Sequence, residues 1–591
     1  MRDRLVIARA GIGLVQGFAL YFLYREFEAK TWPANDGLLF APLLLVSVFV
    51  PILAITAAGN LRARGLATWT LIAAVGLIGL GAYDIIRDPM EATSPPLPRN
   101  IPSFPLWFAS ALALFIAHTL IVSGDADRKF IASYQCYFLT SWKHGFQIAL
   151  TCLFLGVFWA LLYLGAALFE LINIHFLSDL IKTPWVSMPV STLAIAYAIH
   201  IADVRPVIGS GARAQAPDLL SWLLPMMTLI ALAFLVALVF TGLEPLWSTR
   251  RATSVMLAAA GALVLLINAV YQDGDPQRPV AGALRYAGNA ATGVLAILVA
   301  IAAYALALRV GQYGWTPERI LALACVVVAA CYAIGYPVAA VASRHWLKWI
   351  EFTNIVTAFV ILAVMLALFT PVADPARISA ADQVGRLVSG RISPDRFDFA
   401  FLRFHSGKYG RDALERLKTT QNGPDAQEIA RRATAMLAAN TPSEGRQQQG
   451  SRTTPTNRAA NIAIIHPKGG SLPDGFLQRD WESVPQPWRI PRCLKVKGAA
   501  CEAVMLDLDG DGMPEILVFG QPSAVAFKET ASTWNVLGTI ENAFCPGVIE
   551  AFRDGKFEIA ERNLPDVRAA GQRLYVKNEC GSDVYATPVS K

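Results

Sequence analysis

The chain has 591 residues, of which 54% are hydrophobic and 16% charged, with a formal net charge of +7. Soluble domains carry about 25% charged residues, so a wholly soluble fold is excluded. The apolar residues concentrate before residue 373, which leaves only the tail with the composition of a water-exposed domain.

Uncharged runs recur through the first part. LLSWLLPMMTLIALAFLVALVFTGL (219–243), YAGNAATGVLAILVAIAAYALAL (286–308) and FTNIVTAFVILAVMLALFTPVA (352–373) each reach the roughly 20 residues that a helix needs to cross a bilayer core of about 30 Å. Backbone polar groups in lipid must be satisfied within the segment, so these runs are predicted to be helices. Eleven spans are expected, centred near residues 16, 47, 75, 114, 156, 192, 230, 261, 297, 330 and 361. The first follows MRDRLVIAR and is short enough to pass for a signal peptide. It has no small-x-small cleavage site before the next polar stretch and contains Gln16, so it is read as a retained helix. Residues 1–373 thus form a polytopic all-α membrane domain.

Lys and Arg are richer on the connections that share a side with the N-terminus, including Arg2, Arg4, Arg62, Arg64, Arg128, Lys129 and Lys143. The positive-inside rule makes that side cytoplasmic. With eleven spans, everything after residue 373 then lies outside the cytoplasm.

No Asp, Glu, Lys or Arg falls near the centre of a span. His118 lies inside the fourth, Asn268 deep in the eighth and Gln16 in the first. His118 and Asn268 are the candidates for an intramembrane polar site; the ordinary alternative for all three is hydrogen bonding between helices. His200 and Asp203 share a helix face. Glycines 11, 13, 17, 76, 79 and 81 suit close helix packing. Glu26, Glu28 and Asp36 follow the first span, and Asp84, Asp88 and Glu91 the third. These acids are solvated loop charges or, if they converge, the site of a membrane transferase. Cys136, Cys152, Cys325 and Cys331 lie in or near the spans as small apolar side chains.

Beyond the spans, residues 374–440 read as amphipathic helices. ISAADQVGRLVSG has Ser379 as its cap and stops at Gly390; YGRDALERLKTTQNGP and DAQEIARRATAMLAAN supply two more. Residues 441–460 have almost nothing to bury and read as a flexible linker. From 461 to 591 short apolar or alternating runs are separated by turn residues: EAVMLDLD, EILVFG, SAVAFKE, WNVLGTI, GVIEAF, KFEIAER and RLYVK. This is a small β-rich domain. It holds Cys493, Cys501, Cys545 and Cys580. An even number in a small extracytoplasmic module suggests two disulfides. Cys493 and Cys501 bracket LKVKGAA, a hairpin with Gly498 in its turn, and Cys545 with Cys580 would make the second bridge; free buried thiols are the alternative.

MLDLDGDGMPEILVF (505–519) places Asp507, Asp509 and Asp511 at alternate positions, followed by Gly512, Met513 and Glu515. A hard cation takes several oxygens at 2.3–2.6 Å, and alternate residues of a tight loop can all point inward. Calcium bound by the three Asp, the Met513 carbonyl and Glu515 is expected, as a structural staple. The closing Glu of an EF-hand is replaced by Val518, and the flanks are strands. The loop resembles the D-x-D-x-D-G-x-x-[DE] loops of integrin-type propeller blades, but a single copy makes no propeller. The alternative is a metal-free Asp-Gly turn.

RVGQYGWTPERI (309–320) joins spans nine and ten, with Thr316, Pro317 and Glu318 suited to a helix start. This stretch, and SPDRFDFAFLRFHSGKYGRDALERL (393–417), resemble a bacterial family of inner-membrane proteins, domain of unknown function 4153. The resemblance implies a bacterial inner membrane and many spans, and carries over no catalytic residue. The chain contains no P-loop, G-x-S-x-G or H-E-x-x-H. The expected role is therefore a non-enzymatic envelope protein with a periplasmic, calcium-stabilised binding or sensing domain. The alternatives are a transporter of a small or lipid-like solute through the bundle and a transferase acting on a lipid-linked substrate. The expected partners are the lipid bilayer and an envelope protein or solute, with no nucleic acid.

Overall fold

The computed structural model describes residues 2–88, 99–204, 217–242, 252–275, 277–342, 345–420, 425–439, 441, 455–481, 484, 489–496, 498–520, 523–530, 533–540, 542–559, 567–569 and 572–574. The chain divides into two compact units near Leu417.

The first unit contains α1 (Arg2–Ala29), α2 (Gly37–Ala57), α3 (Ala63–Arg87), α4 (Phe104–Asp127), α5 (Tyr134–Glu170), a short α6 (Phe176–Lys182), α7 (Pro184–Val204), α8 (Leu223–Thr241), α9 (Ala252–Tyr271), α10 (Gly282–Tyr313), α11 (Pro317–Ala342) and α12 (Ile350–Leu368). Eleven helices among the described residues are long and apolar enough to cross a membrane, one for each expected span. Outward-turned residues such as Leu71, Val75, Leu229, Phe240 and Val341 are exposed, as expected where the solvent is lipid. Helix α5 has 37 residues, about 55 Å at 1.5 Å per residue. It begins well before the apolar run centred on 156, so Lys143 and His144 sit on a helix and not in a connection.

Two sub-bundles make up this unit. In the first, α1 packs on α2 and α7. Gly13 and Gly17 face Thr192 and Pro189 on α7 so closely that a Cβ would clash, and Gly81 faces Pro42 on α2; Gly11, Gly76 and Gly79 face open space and serve no such contact. Gln16 donates to the Ser47 and Val48 carbonyls of α2 at 3.2 and 2.9 Å. The second sub-bundle buries Leu263, Leu295, Leu298, Tyr336 and Ala339 in one apolar core. Helix α12 also packs against α4 and α5 and so joins the halves.

The unit continues through α13 (Pro375–Val388), α14 (Phe399–His405) and α15 (Gly407–Lys418). Asp374, and not Ser379, caps α13, accepting from the Ala376 and Arg377 amides at 2.7 and 3.2 Å. Pro375 at the first helical position explains the earlier start. Ser379 lies inside the helix and donates to the Trp315 carbonyl at 3.0 Å.

The second unit opens with α16 (Ala426–Ala438), α17 (Pro455–Asn461), β1 (Ile462–His466) and α18 (Asp474–Gln478). β2 (Cys501–Leu506), β3 (Glu515–Phe519), β4 (Val525–Thr530) and β5 (Thr533–Thr539) complete a five-stranded sheet in the order β1-β2-β3-β4-β5. β1 runs parallel to β2 and the other neighbours are antiparallel. β3 is buried along its whole length, which explains why residues 516–519, ILVF, are continuously apolar rather than alternating after Glu515. One face, carrying Phe527 and Trp534, packs on Phe476 and Trp481; the other packs on Ile549 and Phe552.

Three expectations fail in this unit. GVIEAF is not a strand: Val548–Asp554 is a helix, α19, whose apolar Ile549 and Phe552 meet the sheet at a helical step of three. Residues 455–460, expected in the linker, belong to α17. There Arg458 is buried and donates to the Leu494, Leu477 and Arg479 carbonyls. LKVKGAA is no hairpin; a 3-10 turn at Arg492–Leu494 replaces its first strand, and Asn461 holds the Cys493 and Val496 carbonyls at 2.8 Å each. A separate ribbon pairs β6 (Val567–Ala569) with β7 (Gln572–Leu574). The ends of KFEIAER and RLYVK lie outside the described residues.

Candidate functional site

The acidic loop connects β2 to β3, with Leu506 paired to Glu515 across its base. Gly510 and Gly512 take φ of +73° and +83°, which lets the loop fold back on itself. Ligand oxygens of Asp507, Asp509 and Asp511 lie within 4.8 Å of one another. Asp507 accepts from the Gly510 and Gly512 amides at 2.7 and 2.9 Å, and Asp511 from the Met513 amide at 2.9 Å. Glu515 is buried and accepts from the Leu508 amide at 2.8 Å. The Met513 side chain is exposed.

Lys528, on β4, reaches the same carboxylates. It hydrogen-bonds Asp509, lies 2.7 Å from Asp511 and 3.4 Å from Glu515. Hydrogen bonds to Asp509 and Asp511 raise the Lys528 pKa, and the bond from Lys528 lowers that of Asp511. All-oxygen donors suit a hard cation. One chain-borne ammonium against Asp507, Asp509, Asp511 and Glu515 leaves the loop net negative. Below it, Cys493 and Cys501 form a disulfide. Cys545 is disulfide-bonded as well; Cys580, its expected partner, lies outside the described residues.

In the membrane unit, Asn268 sits in a closed hydrogen-bond ring. Its amide donates to the Tyr336 hydroxyl at 2.6 Å, and its carbonyl accepts from Asn354 at 2.6 Å and from Tyr134 at 3.4 Å. Tyr336 donates to Asn354 Oδ1 at 2.7 Å, and Asn354 donates to Tyr134 at 3.2 Å. The ring ties α5, α9, α11 and α12 together. It forms one wall of a cavity of about 430 Å³ between the sub-bundles, lined mainly by apolar residues of α4, α5, α9 and α12.

His118 is not brought to that cavity or to Asn268. It turns to the other side of α4, where Nδ1 accepts from the Trp69 indole at 3.1 Å. Its ring lies 4.9 Å from that of His144, and Nε2 of each histidine is buried without a hydrogen-bond partner. Near the start of α1 and the end of α7, Arg9 bonds Asp203 at 2.6 Å, the Ala58 carbonyl at 2.6 Å and His200 at 3.3 Å, while Lys143 on α5 meets Asp203 at 2.6 Å. Arg9, His144, Tyr134, Tyr336, Asn354 and Lys528 escaped the sequence reading. Only Arg9 carried a signal, a cation close behind the polar leader of the first span.

The loop acids are taken up locally. Glu26 pairs with Arg25 at 2.5 Å and accepts from Thr31; Asp36 caps α2 through the Leu38 amide; Glu28 is exposed. Asp84 is buried beneath Arg87, Arg99 and Ser103. Asp88 stands 3.7 Å from Arg99 and is held above the ordinary carboxylate range by burial. Glu91 lies outside the described residues. The two motif stretches cap the helix ends. Gln383 and Ser379 hold the Trp315 carbonyl, and Asp382 accepts from the Trp315 amide; Tyr409 meets Tyr83, which donates to Asp374 at 2.7 Å.

A family model described as "Domain of unknown function (DUF4153)" matches residues 18–417. The match ends where the first compact unit ends. No curated protein and no solved structure matches the chain.

Proposed function

The chain belongs to the DUF4153 family and is a multi-pass membrane protein, and from that premise we propose that it is a bacterial inner-membrane protein with a cytoplasmic N-terminus and an exported second unit. That unit acts in the periplasm as a non-enzymatic binding or sensing module for another envelope protein, and calcium staples its acidic loop. The observation that carries this reading is the Cys493–Cys501 disulfide, with Cys545 bonded as well, because disulfides persist in oxidising compartments. The net-negative loop supports the ion, since extracellular calcium is plentiful enough to fill sites of about 10⁻⁴–10⁻³ M. Fusing alkaline phosphatase or a fluorescent protein to the carboxyl end tests the orientation. Phosphatase activity is expected; fluorescence without phosphatase activity overturns the proposal.

A second reading rests on the cavity between the sub-bundles: the membrane unit binds a small or lipid-like solute there. The transferase reading is not carried forward, because Asp84 and Glu26 are held by arginines and Asp36 by a helix start.

A further inference from the structure

The cavity wall is chemically unusual for a polar solute. Among the described residues its lining includes no Asp, Glu, Lys, Arg or His. Among the described residues, every polar side chain on the lining except the Trp142 indole is already partnered, the Tyr137 hydroxyl by the Ala132 amide at 2.9 Å. Tyr134, Asn268 and Asn354 bond one another, Thr119 lies 3.3 Å from His144 Nδ1, and Ser141 donates to the Phe138 carbonyl at 2.9 Å. A polar ligand would have to break these bonds to be recognised, leaving buried polar groups unpaired. An apolar ligand leaves them intact and gains from contact with Phe115, Leu120, Trp142 and Leu265.

The cavity also has a way in from the side. Gly145 on α5 and Leu265 on α9 line it and are exposed. Both lie on helices long and apolar enough to cross a membrane, which puts lipid acyl chains within reach of this opening. A volume of about 430 Å³ falls within the roughly 300–1,000 Å³ typical of small-ligand pockets.

Building on the solute-site reading, we propose that this cavity takes one acyl chain of a membrane lipid, entering sideways between α5 and α9, with the headgroup remaining outside. Gly145 is the gate residue: nothing lies within 4 Å of where its Cβ would stand, so a larger side chain there enters the empty space without striking the backbone.

The test uses the full chain reconstituted in vesicles containing a phosphatidylethanolamine with a diazirine near the end of one acyl chain. After illumination, labelled peptides are mapped by mass spectrometry. Label on Phe115, Trp142 and Leu265 is expected, falling at least fivefold in Gly145→Leu. It should be unchanged in Gly156→Leu, a control on the same helix whose Cβ position is equally open and which does not line the cavity. Label confined to outward-facing residues such as Val239 and Phe240, or label on the cavity that Gly145→Leu leaves unchanged, overturns the proposal. In the case of no cavity label, a Ser141→Cys variant separates the two readings. Protection of that thiol from maleimide in cells, lost on purification, means that another solute fills the cavity and only the acyl chain is wrong. A thiol reactive in both settings removes the solute site too.

Discussion

Lys528 Nζ lies 2.7 Å from Asp511 Oδ2, across 17 residues of sequence, so the acidic loop already holds one cation supplied by its own sheet. A calcium ion bound there would share the carboxylates with that ammonium. Lys528→Met should therefore strengthen calcium binding, by about three- to tenfold, through removal of a like charge a few ångströms away. Asp509→Ala should abolish it. Amide exchange of the 501–519 peptide, with and without 5 mM calcium, reports both. If calcium protects neither the parent protein nor Lys528→Met, the loop is a metal-free turn.

The Cys493–Cys501 bridge spans 8 residues. Loop-closure entropy for so short a ring corresponds to about 2–3 kcal/mol. Cys501→Ser should lower the stability of the β unit by about that amount, seen as earlier proteolysis of the 455–559 region in urea. An unchanged midpoint would mean that the bridge adds nothing beyond the packing of Cys501 on Gly520.

The Arg9 side chain is 1% exposed and its charge is met by Asp203. Removing one partner of a buried ion pair costs about 3–5 kcal/mol, because the other is left uncompensated. Asp203→Ala should depress the melting temperature in detergent strongly, while the double variant Arg9→Met, Asp203→Leu should recover most of the loss. Equal effects of the single and double variants would show that the pair is not the source.

Glu428 on α16 is held down to about 2, first by its hydrogen bond from Arg431, then by that from Arg432. A carboxyl lowered on folding contributes stability that is full above its unfolded value near 4.5 and is lost as pH falls towards 2. The pair is partly exposed, so the contribution is of the order of 0.5–1 kcal/mol. Rate-corrected amide exchange across 425–439 should rise over that pH window and be flat in Glu428→Gln.

The spans were legible residue by residue because hydrocarbon imposes a length and a composition on every helix that crosses it. The β2–loop–β3 motif was legible for a similar reason: alternate Asp residues and glycine at a turn are local properties. Where a local pattern was ambiguous, the reading failed. GVIEAF is as consistent with a short helix as with a strand, and only the apolar sheet face that receives Ile549 and Phe552 decides between them. Ser379 looked like a cap until Pro375 and Asp374 took the helix start.

The sequence by itself therefore determined the number and order of the membrane helices, the presence of a strand-rich tail and the clustering of its acidic loop. The tertiary structure alone decided which polar groups meet: Lys528 with Asp511, Arg9 with Asp203, Asn268 with Asn354, and His118 with Trp69 rather than with Asn268. The physical reason is range. Helix length and turn formation depend on neighbours a few residues away, whereas a buried polar group is satisfied by whatever the packing of distant elements brings within about 3 Å.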